Sequence, residues 1–270
     1  MRSAIAATIG IALLSLPLPA SAYDKNDLER LKKSGSCQEC DLQRSKMHSD
    51  DMKGTDLRES NLRDAVLKSV ILDEARLDEA DMRRSDLEKA NIQGASLRDT
   101  ILIQADLEKA VVIKSDFTKA DLRRADLENV DGRNAVFDKT DMRQANLKRS
   151  VLENASFKDA RMSETNFKRA VLNKADFTNA RLKDTRFTRA ELRGAVFNEA
   201  NLSQANFYRA ELNGASFKGA DLDATIFWLA DVSGADFSQS ENLTDEQLEG
   251  ACGNADTQLP SGVKPLPQCD

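Results

Sequence analysis

The sequence predicts an all-β solenoid, a chain that turns once every five residues in one sense around a continuous apolar shaft. Three observations predict it. From Leu42 to Phe237 every fifth residue is apolar, with Gly132 the one exception in forty consecutive slots. Two residues before nearly every slot stands a small residue, 25 Ala and 12 Ser, Thr or Cys, with Asp50, Val70 and Val130 as the departures. All eleven Phe occupy alternate slots, and within each of two series they recur every twenty residues.

The five-residue period excludes the two regular elements. At roughly 100° per residue, successive slots on an α-helix step by about 140° and spread around the cylinder. On a strand the side chains alternate with period two, so an odd repeat sends consecutive slots to opposite faces. Only a chain that turns once per unit keeps every Leu, Phe and Ala inward and the other three positions outward. The Phe series set the coil at four units. Phe117, Phe137 and Phe157 through Phe237 form one vertical column, Phe167, Phe187, Phe207 and Phe227 the facing one, and the other two columns hold mostly Leu. Like rings stacked at strand spacing fill the bore. The Ala-type position is small because four large side chains per layer leave no volume for four more.

A typical unit is Ala120-Asp121-Leu122-Arg123-Arg124. In tandem, Ala-(Asp/Asn)-(Leu/Phe)-x-x resembles the pentapeptide repeat family, over residues 40–239. The resemblance implies a right-handed quadrilateral parallel β-helix of about ten coils, a rod roughly 48 Å long.

The elements follow in chain order. Residues 1–22 combine Arg2, an apolar stretch, Pro17 and Pro19, and the small-x-small ending Ala20-Ser21-Ala22, the parts of a secretory signal peptide. Cleavage after Ala22 is expected, which places the mature protein in a bacterial periplasm or the medium. Residues 23–36 are expected to form an N-terminal helical cap with Asn26 as N-cap, Glu29 three residues on, and Leu28 and Leu31 for packing. Residues 37–239 carry the β-helix. In residues 240–270, Thr244-Asp245-Glu246-Gln247 is a capping box expected to open a short helix with Leu248 and Ala251, followed by an irregular, Pro-containing tail. Caps are expected because exposed coil ends are unpaired strand edges.

Composition narrows the function. Thirty-nine basic against 45 acidic residues give a net charge of -6, unlike a nucleic-acid-binding domain. The single His, His48, leaves little material for His-dependent catalysis or a multi-histidine metal site. After the N-terminus no apolar run is long enough for a membrane-spanning helix. No nucleophile with an orienting base, phosphate-binding Gly-rich loop or metal cluster is evident, so no catalytic, cofactor or metal residue is assigned.

Four Cys invite attention. Cys37 falls on a large-residue slot and Cys40 on a small-residue slot, both inward, so Cys37-Gln-Glu-Cys40 reads as a disulfide stapling the first coil ahead of a redox motif. Cys252 and Cys269 are expected to bridge the tail. Gly132 reads as a drifted repeat with a local cavity or bulge, ahead of a hinge between two stacks of coils.

One face carries seven cations over four successive coils: Lys148, Arg149, Lys168, Arg169, Arg186, Arg189 and Arg209. Lower on the same face stand Glu88/Lys89 and Glu108/Lys109. A solvated surface accounts for such residues; the functional alternative is a docking strip for an anionic envelope component or an acidic protein. Tyr208 and Trp228, with Leu229 next, are outward on this face and form a candidate contact patch, which also offers a homodimer contact at the C-terminal end; the alternative is that the cap folds over them. The expected function is a non-enzymatic exported scaffold or interaction module with an unidentified partner, no cofactor and no nucleic acid. Two alternatives are a polysaccharide-acting β-helix enzyme and, implied by the family resemblance, a DNA-mimicking binder of type II topoisomerases. Export and the basic face depart from the latter.

Overall fold

Each five-residue unit in the interior of the rod makes four of its amides bond to the backbone, and the fifth explains the most frequent polar residue of the repeat. In the unit ending at Ala120, Asp116 N donates to Ala95 O in the coil below (3.0 Å), while Phe117 N and Lys119 N donate to Val136 O (2.7 Å) and Asp138 O (2.9 Å) in the coil above. Ala120 N closes the turn on Phe117 O at 2.8 Å. The remaining donor, Thr118 N, has no ladder partner and bonds to Asp116 Oδ1 at 2.8 Å. A buried or half-buried N–H left unpaired is costly, so the Asp or Asn that precedes many of the apolar slots completes the backbone there.

The computed structural model describes residues 23–269; the expected signal peptide lies outside them. Parallel bridges link residues twenty apart without interruption, from Ser36↔Asp56 to Asp221↔Glu241, so four units make one coil of a four-sided parallel β-helix. The second residue of nearly every turn has φ near +60°, for example Lys119 (64°) and Arg124 (58°). That conformation is the signature of a type II turn and disfavours side chains branched at Cβ. No Val, Ile or Thr occupies this position in any unit from residue 40 to 239.

The slot residues and the small residues before them form one buried core. Phe157 stacks on Phe177 with centroids 4.9 Å apart and an interplanar angle of 4°, and Phe177 meets Phe167 of the facing column edge-on at 6.0 Å and 82°. The upper bore is therefore a herringbone of rings, each stacked along its own column and edge-on to the other, as the ring quadrupole prefers. Where Ser or Thr replaces the small Ala, the buried hydroxyl commonly donates to a carbonyl, as Thr140 Oγ1 does to Phe137 O at 2.7 Å and Ser115 Oγ to Ile92 O at 2.7 Å, with the Ser45 hydroxyl an exception that has no partner among the described residues.

Gly132 is neither a hinge nor a bulge. Gly132 N donates to Val151 O at 2.8 Å and Asn134 N to Glu153 O at 2.9 Å, so the ladder passes through it unbroken. Space beside its Cα is already taken: a Cβ there would lie 2.8 Å from Leu152 Cδ2 and 3.1 Å from Val112 Cγ2. The side chains above and below have closed in, which removes the expected cavity next to the backbone.

Both ends differ in detail from the sequence expectation. Helix α1 (Lys25–Ser34) is capped by Asp24, not Asn26: the Asp24 carboxylate accepts from Asn26 N at 2.8 Å. It ends at Gly35, φ 65°, whose N–H bonds to Leu31 O. Asp24 is the better cap here because its own N–H is bonded to Asp41 O (2.9 Å), which ties the helix start to the first coil, and Asp27 Oδ2 accepts from Asp41 N at 2.9 Å. At the C-terminal end the expected helix is a single 3-10 turn, Glu246–Leu248. Only half of the capping box forms: Thr244 N donates to Gln247 Oε1 at 2.7 Å. Gln247 Nε2 is instead drawn down to Leu222 O, so the segment lies on the coil edge as a turn and does not propagate.

The tail is not irregular. Cys252 N donates to Ala230 O at 3.1 Å and Gln258 N to Ala235 O at 2.9 Å, with Val232 N and Phe237 N returning bonds to Cys252 O and Gln258 O. It thus pairs with the last coil and covers the strand edge that would otherwise be open. Both Cys pairs are disulfide-bonded, Cys37 to Cys40 beneath α1 and Cys252 to Cys269 across the tail. On the chain-entropy account the second bridge, closing a loop of about 18 residues, contributes roughly 3 kcal/mol.

Candidate functional site

One side of the rod, the column whose inward residues are Met47, Leu67 and so on to Phe227, changes character along its length. Its lower half is acidic and internally neutralised. Asp86, Asp106 and Asp126 stack one coil apart. Burial, reinforced by the Asp86 and Asp126 carboxylates, pushes Asp106 above the usual carboxylate range. The adjoining Glu residues are paired with cations: Glu88 with Lys68 and Lys89, Glu108 with Lys109. Hydrogen bonds from Lys68 and Lys89 hold Glu88 down at about 2.

The seven cations singled out from sequence do line one face, but they divide into two sets. Glu128, one coil below, takes Lys148 at 2.9 Å and Arg149 at 3.8 Å, and the Lys148 hydrogen bond lowers the Glu128 pKa. These two are therefore compensated. The twenty-residue spacing of Glu128 and Lys148 was available in the sequence and marks the pair. Lys168, Arg169, Arg186, Arg189 and Arg209 make no ion pair among the described residues. An amide ladder sets the rows in register: Asn146 Nδ2 donates to Asp126 Oδ1 (3.0 Å) and Asn166 Nδ2 to Asn146 Oδ1 (3.1 Å). Amides of this column also fix the residues that follow them, since Lys168 N donates to Asn166 Oδ1 at 3.2 Å and Tyr208 N to Asn206 Oδ1 at 2.9 Å.

The strip ends in an aromatic shelf. Tyr208 and Trp228 lie one coil apart with ring centroids at 5.4 Å and a 35° tilt, and the Arg209 guanidinium sits 5.2 Å from the Tyr208 centroid. The cap reaches the shelf without covering it. A Cβ on Gly250 would lie 2.6 Å from Trp228 Cδ1, so the tail packs against one edge of the indole, yet Trp228 stays 53% exposed. Leu229 is 41% exposed on a backbone with φ 56°, and Ile226, which the sequence reading missed, is 44% exposed. Its signal was a large apolar residue at an outward position that often holds Asp or Asn, next to Trp228 and Leu229. A groove of about 350 Å³ runs beside Trp228, between Ile226 and the carboxylates Glu246 and Glu249.

Two further clusters have ligand-like spacing among the described residues, Asp27 with Cys37 and Cys40, and Asp231 with Cys252 and Cys269. In both, the sulfurs are joined to each other and are not thiolates. No helix among the described residues is long and apolar enough to cross a membrane.

Comparison with known proteins bears on the repeat. A family model described as pentapeptide repeats (8 copies) matches residues 51–89, 60–99, 80–118, 90–129, 190–228 and 200–239, and one for a pentapeptide repeat region matches 132–204. No curated protein matches the chain. Among solved structures, a trypsin-treated form of QnrB1, a plasmid-mediated fluoroquinolone resistance protein, is 16% identical over 63% of this chain and 89% of its own, with a TM-score of 0.56. HetL, a pentapeptide repeat protein involved in heterocyst differentiation regulation in the cyanobacterium Nostoc sp. strain PCC 7120, is 26% identical over 74% of this chain and 88% of its own, with a TM-score of 0.44. A pentapeptide repeat protein of the Arabidopsis thaliana thylakoid lumen is 30% identical over 49% and 80%, with a TM-score of 0.23. The fold is the right-handed β-helix of such proteins.

Proposed function

The chain belongs to the pentapeptide repeat family, and from that premise we propose that it is an exported, non-enzymatic interaction rod of a bacterial envelope. Its contact surface is the upper half of the face that runs from Lys168 to Trp228. One observation carries this reading: in a chain of net charge -6, five cations stacked on successive coils make no ion pair among the described residues and lead to a half-exposed Trp. Elsewhere on the rod, cations are commonly matched, as Arg84 is by Asp64 at 2.7 Å and Arg143 by Asp141 at 2.7 Å. Uncompensated charge of one sign beside exposed apolar surface is the composition of a contact patch.

A non-catalytic role is supported by the occupation of the carboxylates. The Asp column residues spend their oxygens on backbone N–H groups, as Asp126 does on Glu128 N at 2.9 Å, which accounts for their periodicity without chemistry. Export is supported by the composition of residues 1–22 and by two disulfides, which persist in oxidising compartments.

The test is mild cross-linking in the native periplasm followed by purification of the protein. The isolated chain is expected to begin at Tyr23 and to carry a cross-linked envelope component. Its yield should fall sharply in the Lys168→Glu, Arg189→Glu, Arg209→Glu triple variant. An intact Met1, or an adduct indifferent to the triple reversal, would count against the reading.

A further inference from the structure

We propose that the Lys168–Trp228 face binds a linear acidic polysaccharide, a chain of uronic acids lying along the rod axis with its carboxylates over the cation rows and its sugar rings against the Tyr208–Trp228 shelf. The inference rests on the reading of this face as the contact surface and adds the class of ligand.

The width of the strip argues for a single chain. Its cations occupy one column, linked row to row by the bridges Asn146↔Asn166, Asn166↔Arg186 and Asn206↔Ile226. On the following side of the rod stand Glu191 and Glu211, bound to Arg193, and on the preceding side Glu164 and Asp184 beside Arg181 and Lys183. A plane of anionic lipid headgroups would extend over these flanks of mixed sign, whereas the row of uniform positive charge is one column wide. A single polymer chain fits between them.

The spacing argues for a polymer of moderate charge density. The rows recur at strand separation, about 4.8 Å. A polyuronate bears one carboxylate per ring, so its charges recur at a monomer length of the same order. Duplex DNA carries a charge every 1.7 Å or so along its axis, far denser than these rows can match.

The shelf supplies what cations alone do not, a surface for the rings. The C–H edges of a pyranose carry partial positive charge and settle on the negative face of an indole or phenol ring. Arg209 already occupies Tyr208, which leaves the half-exposed Trp228 as the principal platform. Both rings are held in place before any ligand arrives, Tyr208 through its N–H bond to Asn206 and Trp228 by contact with Gly250. A preorganised site loses less entropy on binding.

Trp228 is the sole Trp of the chain and reports directly. The purified protein is titrated with size-fractionated oligogalacturonate while Trp228 fluorescence is followed. A saturable change is expected, with affinity falling as salt rises. The Lys168→Gln, Arg189→Gln and Lys168→Glu, Arg189→Glu double variants should keep the wild-type circular-dichroism spectrum and bind about tenfold or more weakly. An uncharged maltooligosaccharide should produce no change. The proposal falls if oligogalacturonate gives no saturable signal, if the double variants bind it as wild type does, or if phosphatidylglycerol vesicles or oligothymidylate bind more tightly. Should the sugar fail while the triple reversal still abolishes the envelope cross-link, the ligand class is wrong and the contact face stands.

Discussion

Asp116 illustrates what the polar residue of the repeat does. It takes the N–H of Thr118 at 2.8 Å and the Thr118 hydroxyl at 2.5 Å, and its other oxygen meets Arg98 at 2.7 Å. Where the position holds Ser, a neighbour takes over: Arg98 N donates to Asp78 Oδ1 at 3.1 Å and Lys158 N to Asp138 Oδ1 at 3.0 Å, each reaching one coil down. In these units the backbone donor is served by one of two positions, each filled by Asp or Asn. Asp116→Ala is therefore expected to cost about 1 kcal/mol, read as a lower urea midpoint. Asp116→Asn, which keeps an acceptor oxygen, should cost clearly less.

At the scale of one face, charge is arranged by coil. Glu88 accepts from Lys68 of the coil below and Lys89 of its own turn, and these bonds depress its pKa to about 2. A carboxyl whose folded pKa lies below its unfolded value of about 4.3 contributes stability fully above that value and loses it as pH falls toward 2. Asp106, pushed upward by burial, acts in the opposite sense. Glu88→Gln should therefore lower the thermal midpoint at pH 7, and the difference from wild type should shrink between pH 4 and pH 2. A difference that stays constant over that range would separate the effect from the ion pairs. The upper half of the same face lacks such matched acids, which leaves Lys168, Arg169, Arg186, Arg189 and Arg209 without an ion pair among the described residues.

The whole molecule is a stack in which each coil meets only the coils above and below, so stability is close to a sum of neighbour terms. Phe177 lies at the centre of the herringbone, stacked on Phe157 and Phe197 and edge-on to Phe167 and Phe187. Phe177→Ala should cost roughly 3–5 kcal/mol. Hydrogen exchange should quicken first in the coils on either side, with the lower, Leu-lined coils unaffected. Uniform loss of protection along the rod would contradict the nearest-neighbour picture.

The sequence by itself determined the coil, the two Phe columns, the inward Cys and the face on which Lys168, Arg189 and Trp228 align. A strict five-residue register admits only one winding, and in that winding residues twenty apart must be neighbours. The αL turns were equally legible in the absence of Val, Ile and Thr, once the turn was known. Only the tertiary structure decided the rest. It gave the cap of α1 to Asp24, turned the capping box at Thr244 into a 3-10 turn, drew the tail into the ladder, and closed Val112 and Leu152 around Gly132. It also sorted the cations, giving Lys148 and Arg149 to Glu128 while Lys168, Arg169, Arg186, Arg189 and Arg209 make no ion pair among the described residues. These are competitions between nearby partners, settled by tenths of an ångström and by which carbonyl or carboxylate a side chain can reach, and a periodic pattern does not rank them.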